Sequence, residues 1–202
     1  NKPILWHIIK YYSAYAIKEV IIASGYKSKV IKNYFNKVKI KNLKISVVNT
    51  GLYSMTGYRV KKLKKYIQNE ENFFLTYGDG LSNVDINKLL KFHIKNNRIA
   101  TLTAVRPQAR FGKMKLKGNY ITEFREKNQL DEGRINGGFF VFNKKIFNYL
   151  LKRNEMLEKG PIERLVKKRN LVAFKHHGFW QCMDTMRDKE LLEKKIKRVT
   201  KI

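Results

Sequence analysis

Short apolar segments alternate with amphipathic segments along the whole chain, and this order constrains the fold more than any other feature. Segments 19–23, 72–77, 99–105 and 137–142 are rich in β-branched and aromatic residues, which is typical of strands buried on both faces. Between them, apolar residues recur at the three- and four-residue spacing of a helix face. The alternation predicts an α/β fold with a mostly parallel sheet, helices on both faces and one small antiparallel hairpin.

The remaining segments extend the same pattern to both ends of the 202 residues. The hairpin is predicted in segment 113–124, with its turn at Gly118 and Asn119. No linker, internal repeat or low-complexity segment interrupts the order, so residues 1–202 are expected to form a single domain. Further helices are predicted to about residue 16 and in 28–35, 56–67, 84–95, 144–151, 161–168 and 187–198, and further strands in 43–48 and 171–174.

The charge of the chain suggests a polyanionic partner, but weakly. There are 44 Lys and Arg against 16 Asp and Glu, for a net charge of +28. Lysine dominates, and it reads phosphates and bases less specifically than arginine, so nucleic-acid binding is a minor expectation. No apolar run approaches the roughly 20 residues of a membrane-spanning helix, so no membrane partner is expected.

The histidines and the single cysteine show no catalytic arrangement. His176 and His177 are adjacent, so in a strand they would point to opposite faces and share no metal ion. His7 and His93 fall within helical patterns, which indicates structural roles. Cys182 has no partner for an internal disulfide and is expected to pack rather than act as a nucleophile, which favours a reducing, cytoplasmic setting.

Two carboxylates are candidates for a metal site. Asp79 follows an apolar strand and stands between Gly78 and Gly80. Ligands bind beyond the carboxyl ends of strands in open sheets, so Asp79 is a candidate magnesium ligand. The alternative is an ordinary tight turn, in which Asp and Gly are common. Asp184 stands before the last helix, where Thr185 begins a pattern that also fits an ordinary helix cap.

Other candidates would face a phosphorylated or hydroxylated ligand. Asn136 and Gly137 offer hydrogen-bonding groups and space beside the backbone, and the alternative is a β-bulge. Glu126 and Lys127 supply a hydroxyl acceptor and a phosphate-binding cation, and the alternative is an exposed ion pair.

Residues 56–59 open a helix whose free N–H groups could meet an anion or a base edge. The alternative is a plain helix start with no ligand.

Several stretches, taken in order, resemble the glucose-1-phosphate cytidylyltransferase family of sugar-nucleotide pyrophosphorylases. They span nearly the whole chain: KPILWHI (2–8), SMTGYR (54–59), FLTYGDG (74–80), ATLTA (100–104), RFG (110–112), INGGFFV (135–141) and GFWQCMDTMRD (178–188). The resemblance implies a Rossmann-like nucleotidyltransferase fold.

The resemblance also implies roles for individual residues. Asp79 and Asp184 would hold a catalytic Mg²⁺, and Lys127 would assist catalysis. The residues expected to face the sugar phosphate are Gly112, Glu126, Lys127, Asn136 and Gly137. Those expected near the nucleotide are Thr56, Gly57, Arg59 and Gly78.

The activity implied is the reaction of CTP with α-D-glucose 1-phosphate to give CDP-glucose and pyrophosphate, in the cytoplasm, for lipopolysaccharide O-antigen synthesis. Two alternatives stay open: a related hexose-1-phosphate transferase that uses UTP or dTTP, and a non-catalytic basic protein that binds polyanions.

The sequence departs from the family pattern in three places. Family members begin with a strand and a Gly-rich loop, which are expected to precede Asn1. The segment 35–43 is shorter than usual, which leaves homo-oligomerisation open, and Asn128 replaces a usual proline. The 202-residue chain is therefore expected to show weak or no catalysis and reduced stability, because a sheet without its central strand has unpaired edges.

Overall fold

A computed structural model of the chain describes residues 2–107, 113–125 and 133–199. Its helices are α1 (Ile4–Ser13), α2 (Ser28–Lys37), α3 (Thr56–Lys62), α4 (Lys64–Ile67), α5 (Ile86–Asn96), α6 (Glu163–Lys167) and α7 (Met186–Val199), with a 3-10 helix at Lys144–Asn148. Its strands are β1 (Glu19–Ser24), β2 (Lys44–Asn49), β3 (Asn72–Thr76), β4 (Gly80–Ser82), β5 (Ala100–Val105), β6 (Lys113–Lys117), β7 (Tyr120–Arg125), β8 (Ile135–Asn143), β9 (Leu171–Lys175) and β10 (Trp180–Cys182).

The main sheet has four strands in the order β3, β8, β5, β9. Strand β8 is antiparallel to both of its neighbours, whereas β5 and β9 are parallel, so β3, β5 and β9 all run in one direction. Successive side chains of β8 point to opposite faces of the sheet, and Phe139, Phe140, Val141 and Phe142 are all buried. Helices therefore cover both faces, as the apolar, non-alternating sequence of this strand predicted.

Each face of the main sheet has its own apolar core. Phe139 and Val141 of β8 belong to a cluster that includes buried residues of α1, α5 and α7. Phe140 and Phe142, which point the other way, belong to a cluster with buried residues of α3, the 3-10 helix and α6. The α/β class predicted from the sequence is thus confirmed, with two helical layers on one central sheet.

Strands β1 and β2 form a separate parallel pair. Ile22 of β1 packs in a third cluster with Ile9 of α1 and Phe35 of α2. Among the described residues, β1 pairs only with β2 and β3 pairs only with β8, so each has one free edge.

The two remaining strand pairs are antiparallel. Strands β6 and β7 form the predicted hairpin, with its turn at Gly118 and Asn119. Strands β4 and β10 pair so that Cys182 lies opposite Gly80 and Trp180 opposite Ser82. The sequence did not predict this second pair, because three residues are too few to show a period of two.

Three helix predictions need correction. The predicted helix 56–67 divides at Leu63 into α3 and α4. Segment 144–151 is a short 3-10 helix rather than an α-helix. The predicted helix 161–168 is divided between a π-helical segment, Glu158–Ile162, and α6, which spans only Glu163–Lys167.

Candidate active site

The pairing of β4 with β10 brings the two candidate metal ligands to one place. Asp79 lies in the turn between β3 and β4, and Asp184 lies directly after β10. The Met183 N–H donates to the Asp79 carbonyl oxygen at 2.8 Å, which continues the ladder of the two strands. As a result, both carboxylates line one cavity of about 240 Å³.

The rest of this cavity comes from the ends of three strands. Part of the lining is the segment of β8 that contains the paired glycines, and the rest comes from β10 and from the residues after β3. Besides the two carboxylates, the walls include Tyr77, Asn136, Gly137, Gly138, Trp180 and Cys182. The cavity therefore unites three motifs that the sequence analysis had singled out separately.

The electrostatics of the cavity suit a cation. Partial burial raises the pKa of Asp79 above its ordinary value, and the nearby Asp184 carboxylate raises it further. A bound cation would remove this cost by neutralising both groups. Mg²⁺ prefers hard oxygen ligands and is commonly held by one or two carboxylates together with phosphate oxygens, so the donors present fit it. In the described part of the chain, no group of three or more His, Cys, Asp or Glu side chains could hold a metal ion.

Helix capping occupies Thr185 and Asp188 rather than Asp184. The Thr185 N–H donates to Asp188 Oδ2 at 3.0 Å, and the Asp188 N–H donates to Thr185 Oγ1 at 3.2 Å. This reciprocal pair is a capping box, as the alternative interpretation of the motif predicted. The Asp184 carboxylate takes no part in the box, so the cap and a metal site are compatible.

The paired glycines form a β-bulge that also shapes the cavity. The register of β5 and β8 shifts between Leu102 and Ala104. A Cβ atom on Gly137 would lie 2.8 Å from Val105 Cγ1, and Gly138 has a φ of +75°, which favours glycine. The bulge interpretation of this segment is therefore confirmed, and the ligand-site interpretation stays a prediction for the same residues.

Two side chains hold the bulge in place. Asn136 Oδ1 accepts a hydrogen bond from the Gly138 N–H at 2.9 Å. Trp180 Nε1 donates to the Gly137 carbonyl oxygen at 2.7 Å, so β10 is tied to β8. Part of the hydrogen-bonding capacity of Asn136 is thus used to shape the backbone.

The predicted nucleotide-binding residues of α3 do not line the cavity of Asp79. Thr56 Oγ1 accepts a hydrogen bond from the Leu157 N–H at 2.8 Å and donates to Glu158 at 3.2 Å. A Cβ atom on Gly57 would lie 2.9 Å from the Glu155 carbonyl oxygen, so glycine permits close packing there. In this structure both residues join α3 to the 155–158 segment.

Arg59 also makes contacts within the protein. Its Nη1 donates to the Ser24 carbonyl oxygen at 2.9 Å and to Thr50 Oγ1 at 2.5 Å, and its Nη2 donates to the Leu52 carbonyl oxygen at 3.4 Å. These bonds tie together the carboxyl ends of β1 and β2. Gly78, by contrast, has open space in front of it, since a Cβ atom there would meet nothing within 4 Å.

A carboxylate that the sequence analysis missed connects these two regions. Glu158 accepts hydrogen bonds from the Tyr77 hydroxyl and from Thr56 Oγ1. Tyr77 lines the cavity, so Glu158 links the cavity wall to the start of α3. Nothing in the local sequence distinguishes Glu158 from other glutamates, whereas Trp180 and Tyr77 stand inside motifs that were already noted.

The other candidates divide into two groups. Gly112, Glu126 and Lys127 lie outside the described residues, as does Asn128, and their roles stay predictions. His93 is buried, and its ring contacts Thr101 Oγ1 at 2.8 Å and Asn72 Oδ1 at 3.1 Å, as a structural histidine would.

Comparison with known proteins identifies the class. The family model for nucleotidyl transferases matches residues 1–192 of the chain. The chain belongs to the nucleotidyl transferase family.

Individual relatives within the family indicate a narrower activity than the family model does. The chain is 39% identical, over 96% of its length and 83% of the relative's, to the glucose-1-phosphate cytidylyltransferase of Salmonella typhimurium. It is 38% identical, over the same shares, to a probable glucose-1-phosphate cytidylyltransferase of Bacillus subtilis.

A solved structure shows the same fold. The crystal structure of HddC from Yersinia pseudotuberculosis superposes with a TM-score of 0.74 at 21% identity, covering 97% of this chain and 86% of HddC. The fold is the Rossmann-like fold of the nucleotidyltransferases. None of the helices in the described residues has the length and apolar character needed to cross a membrane.

Proposed function

We propose that this protein joins CTP and α-D-glucose 1-phosphate into CDP-glucose and pyrophosphate. The observation that carries the proposal is the convergence of Asp79 and Asp184 on one cavity in a chain of this family. The substrates are inferred from the relatives that share about two fifths of the sequence. By the same reasoning, the product would feed the synthesis of a surface polysaccharide in the cytoplasm.

In the proposed reaction, a phosphate oxygen of glucose 1-phosphate attacks the α-phosphorus of CTP in line. The new P–O bond forms as the bond to the pyrophosphate oxygen breaks, and no covalent enzyme intermediate is needed. Asp79 and Asp184 would hold Mg²⁺, which when bound neutralises charge on the phosphate oxygens. The protein itself contributes position and a fixed electrostatic environment.

The other candidate residues are assigned to the sugar phosphate or to the nucleotide according to where they lie. Asn136 and Gly137 would face the sugar phosphate, together with Gly112, Glu126 and Lys127. The open space beside Gly78 would receive the phosphates of the nucleotide, near the helix start at Thr56, Gly57 and Arg59. In support, the Glu158 bridge joins this helix start to the wall of the metal cavity.

The decisive variant is Asp79→Ala, assayed by release of pyrophosphate. We expect turnover to fall by at least about 100-fold, because charge stabilisation of this kind is worth several kcal/mol. Asp85→Asn is the matched control, since Asp85 caps α5 through the Lys88 N–H and asparagine caps a helix equally well. Near-normal turnover of Asp79→Ala would show that the metal assignment is wrong.

Base specificity requires a separate measurement. Turnover with CTP, UTP, dTTP and GTP, each with glucose 1-phosphate, compares the proposed substrate with its alternatives. GTP is included because a D-glycero-α-D-manno-heptose 1-phosphate guanylyltransferase of Aneurinibacillus thermoaerophilus is 32% identical over 89% of this chain. A clear preference for another nucleotide would keep the nucleotidyl transfer but change the product.

A further inference from the structure

The start of α3 and the segment 154–158 form one hydrogen-bonded unit. Asn154 Oδ1 accepts from the Met55 N–H at 2.8 Å, and Asn154 Nδ2 donates to the Tyr53 carbonyl oxygen at 2.9 Å. A backbone N–H of the same segment donates to Thr56 Oγ1 at 2.8 Å. The candidate nucleotide-binding residues at the start of α3 are therefore fixed to this segment.

A buried carboxylate anchors the segment to the rest of the protein. Glu155 is only 7% exposed, and its side chain accepts from the Leu151 N–H at 3.1 Å. Arg164 Nη2 donates to Glu155 Oε1 at 2.6 Å, which pairs the buried charge. None of these bonds involves Glu158, so a change at Glu158 should leave the segment in place.

Tyr77 connects the metal cavity to the β8 bulge. Its ring packs on the bulge, since a Cβ atom on Gly138 would lie 3.0 Å from Tyr77 Cδ2. Partial burial, and then the hydrogen bond to Glu158, raise the pKa of Tyr77, and a hydrogen bond from Asn136 acts in the opposite direction. The Tyr77 hydroxyl therefore donates to Glu158 while it accepts from Asn136.

Glu158 joins the two sides through its two carboxylate oxygens. Oε1 accepts from the Tyr77 hydroxyl, and Oε2 accepts from Thr56 Oγ1 at 3.2 Å. An ionised carboxylate accepts at both oxygens, whereas an amide accepts at one atom and donates at the other. The side chains of Asn136, Tyr77, Glu158 and Thr56 thus form one chain of hydrogen bonds.

The ends of this chain lie on opposite sides of the proposed reaction. Asn136 is a candidate for the sugar phosphate, and Thr56 is a candidate for the nucleotide. An in-line attack needs the reacting atoms about 3–3.5 Å apart and correctly oriented, and a shift of about 1 Å can cost roughly 100-fold in rate. A link between the two sides therefore bears directly on the rate.

We propose that Glu158 is a positioning residue that holds the nucleotide side of the cavity in place relative to the sugar-phosphate side. This inference rests on the proposed function, because it gives Glu158 a role in that reaction. Glu158 acts through Tyr77 and Thr56 and touches neither substrate. Loss of its charge should slow the reaction of bound substrates and leave the affinity for each substrate almost unchanged.

The test is Glu158→Gln in the full chain, assayed by pyrophosphate release with CTP, glucose 1-phosphate and Mg²⁺. We expect kcat to fall at least about tenfold, because the amide cannot accept from both hydroxyls. The KM for each substrate should stay within about threefold of the parent value. Isothermal titration calorimetry with each substrate alone should give an unchanged Kd and an unchanged stoichiometry. A partly unfolded variant would instead show a lower stoichiometry.

Two further variants make the result specific. Glu163→Gln makes the same substitution at an exposed position of α6 and should keep the parent kcat. Tyr77→Phe removes the same hydrogen bond from its other end and keeps the ring, so it should reproduce the fall in kcat even if Glu158→Gln does not fold. The double variant should lose no more than the larger single loss, because both changes break one link.

The possible outcomes separate this inference from the proposed function. A kcat of Glu158→Gln within about twofold of the parent, or a loss accounted for by stoichiometry or by nucleotide affinity alone, would overturn the inference. Additive losses in the double variant would overturn it too. If the parent protein releases no pyrophosphate, or Asp79→Ala retains turnover, the proposed function fails and this inference fails with it. An active parent that depends on Asp79 but not on Glu158 contradicts the inference alone.

Discussion

At the scale of single residues, Asp79 shows what the proposed metal site would cost in stability. Its carboxylate is partly buried and lies near Asp184, and both effects oppose its charged form. The charge is thus unfavourable for the folded protein until a cation binds. Activity and stability place opposite demands on this one side chain.

This conflict gives a measurable prediction for Asp79→Asn in EDTA. The pKa of Asp79 is raised in the folded state, so its ionisation lowers stability above that pKa, and the loss disappears as pH falls and the group is protonated. The variant should therefore unfold at a slightly higher temperature than the parent protein at pH 7, by up to about 2 °C, since much of the residue is exposed to solvent, which screens the effect. The difference should shrink as pH falls towards the ordinary pKa of an aspartate, about 4, and disappear below it.

Adding Mg²⁺ and nucleotide should reverse the order, because only the parent protein can use the carboxylate to hold the ion. An Asp79→Asn variant that is less stable than the parent at pH 7 in EDTA would contradict this account.

At the scale of elements, the capping box at Thr185 fixes where α7 begins and hence where Asp184 stands. Thr185 and Asp188 satisfy backbone N–H groups at the helix start, and Gln181 of β10 also donates to Asp188, at 3.3 Å. The cap thus connects the helix to the short strand that carries the second carboxylate. A three-residue strand such as β10 depends on such contacts, because its own ladder is short.

We expect Thr185→Ala to lower the free energy of unfolding by about 1 kcal/mol, the usual value of an N-cap. In a chain of this size that corresponds to a fall of about 2–4 °C in Tm. Thr185→Ser keeps the hydroxyl and serves as the matched control, with little expected change. Thermal unfolding followed by circular dichroism measures both, and equal losses in the two variants would show that the methyl group, not the cap, is responsible.

At the scale of the whole molecule, the charge of +28 raises the polyanion-binding alternative. Two carboxylates line the candidate site, and they repel phosphates unless a metal ion lies between them. A basic surface elsewhere would bind DNA only through phosphates, so binding should fall steeply with salt.

We therefore expect duplex DNA to bind weakly at about 0.15 M salt, with Kd above about 1 μM, and to leave nucleotidyl transfer unchanged. Fluorescence anisotropy at several salt concentrations gives the affinity and its salt dependence, and the pyrophosphate assay with added DNA gives the effect on turnover. Tight DNA binding at this salt concentration, together with no pyrophosphate release under any condition, would favour the polyanion-binding protein.

The sequence predicts a structural feature well when a few neighbouring residues are enough to produce it. The hairpin turn at Gly118 and the cap at Thr185 were both predicted, because each depends on a few neighbouring residues. The break at Leu63 and the late start of α6 were not predicted, because the helical spacing of apolar residues continues through both places. The roles of Gly112, Glu126 and Lys127 remain predictions.

The sequence alone determined the α/β class, the order of the elements and the identity of the two carboxylates, because periodicity and strand-end motifs are properties of short segments. The tertiary structure alone decided that Asp79 and Asp184 share a cavity and that Glu158 bridges Tyr77 and Thr56. The physical reason is distance along the chain. A contact between residues about a hundred positions apart arises from how strands pair and helices pack, and no local pattern specifies it.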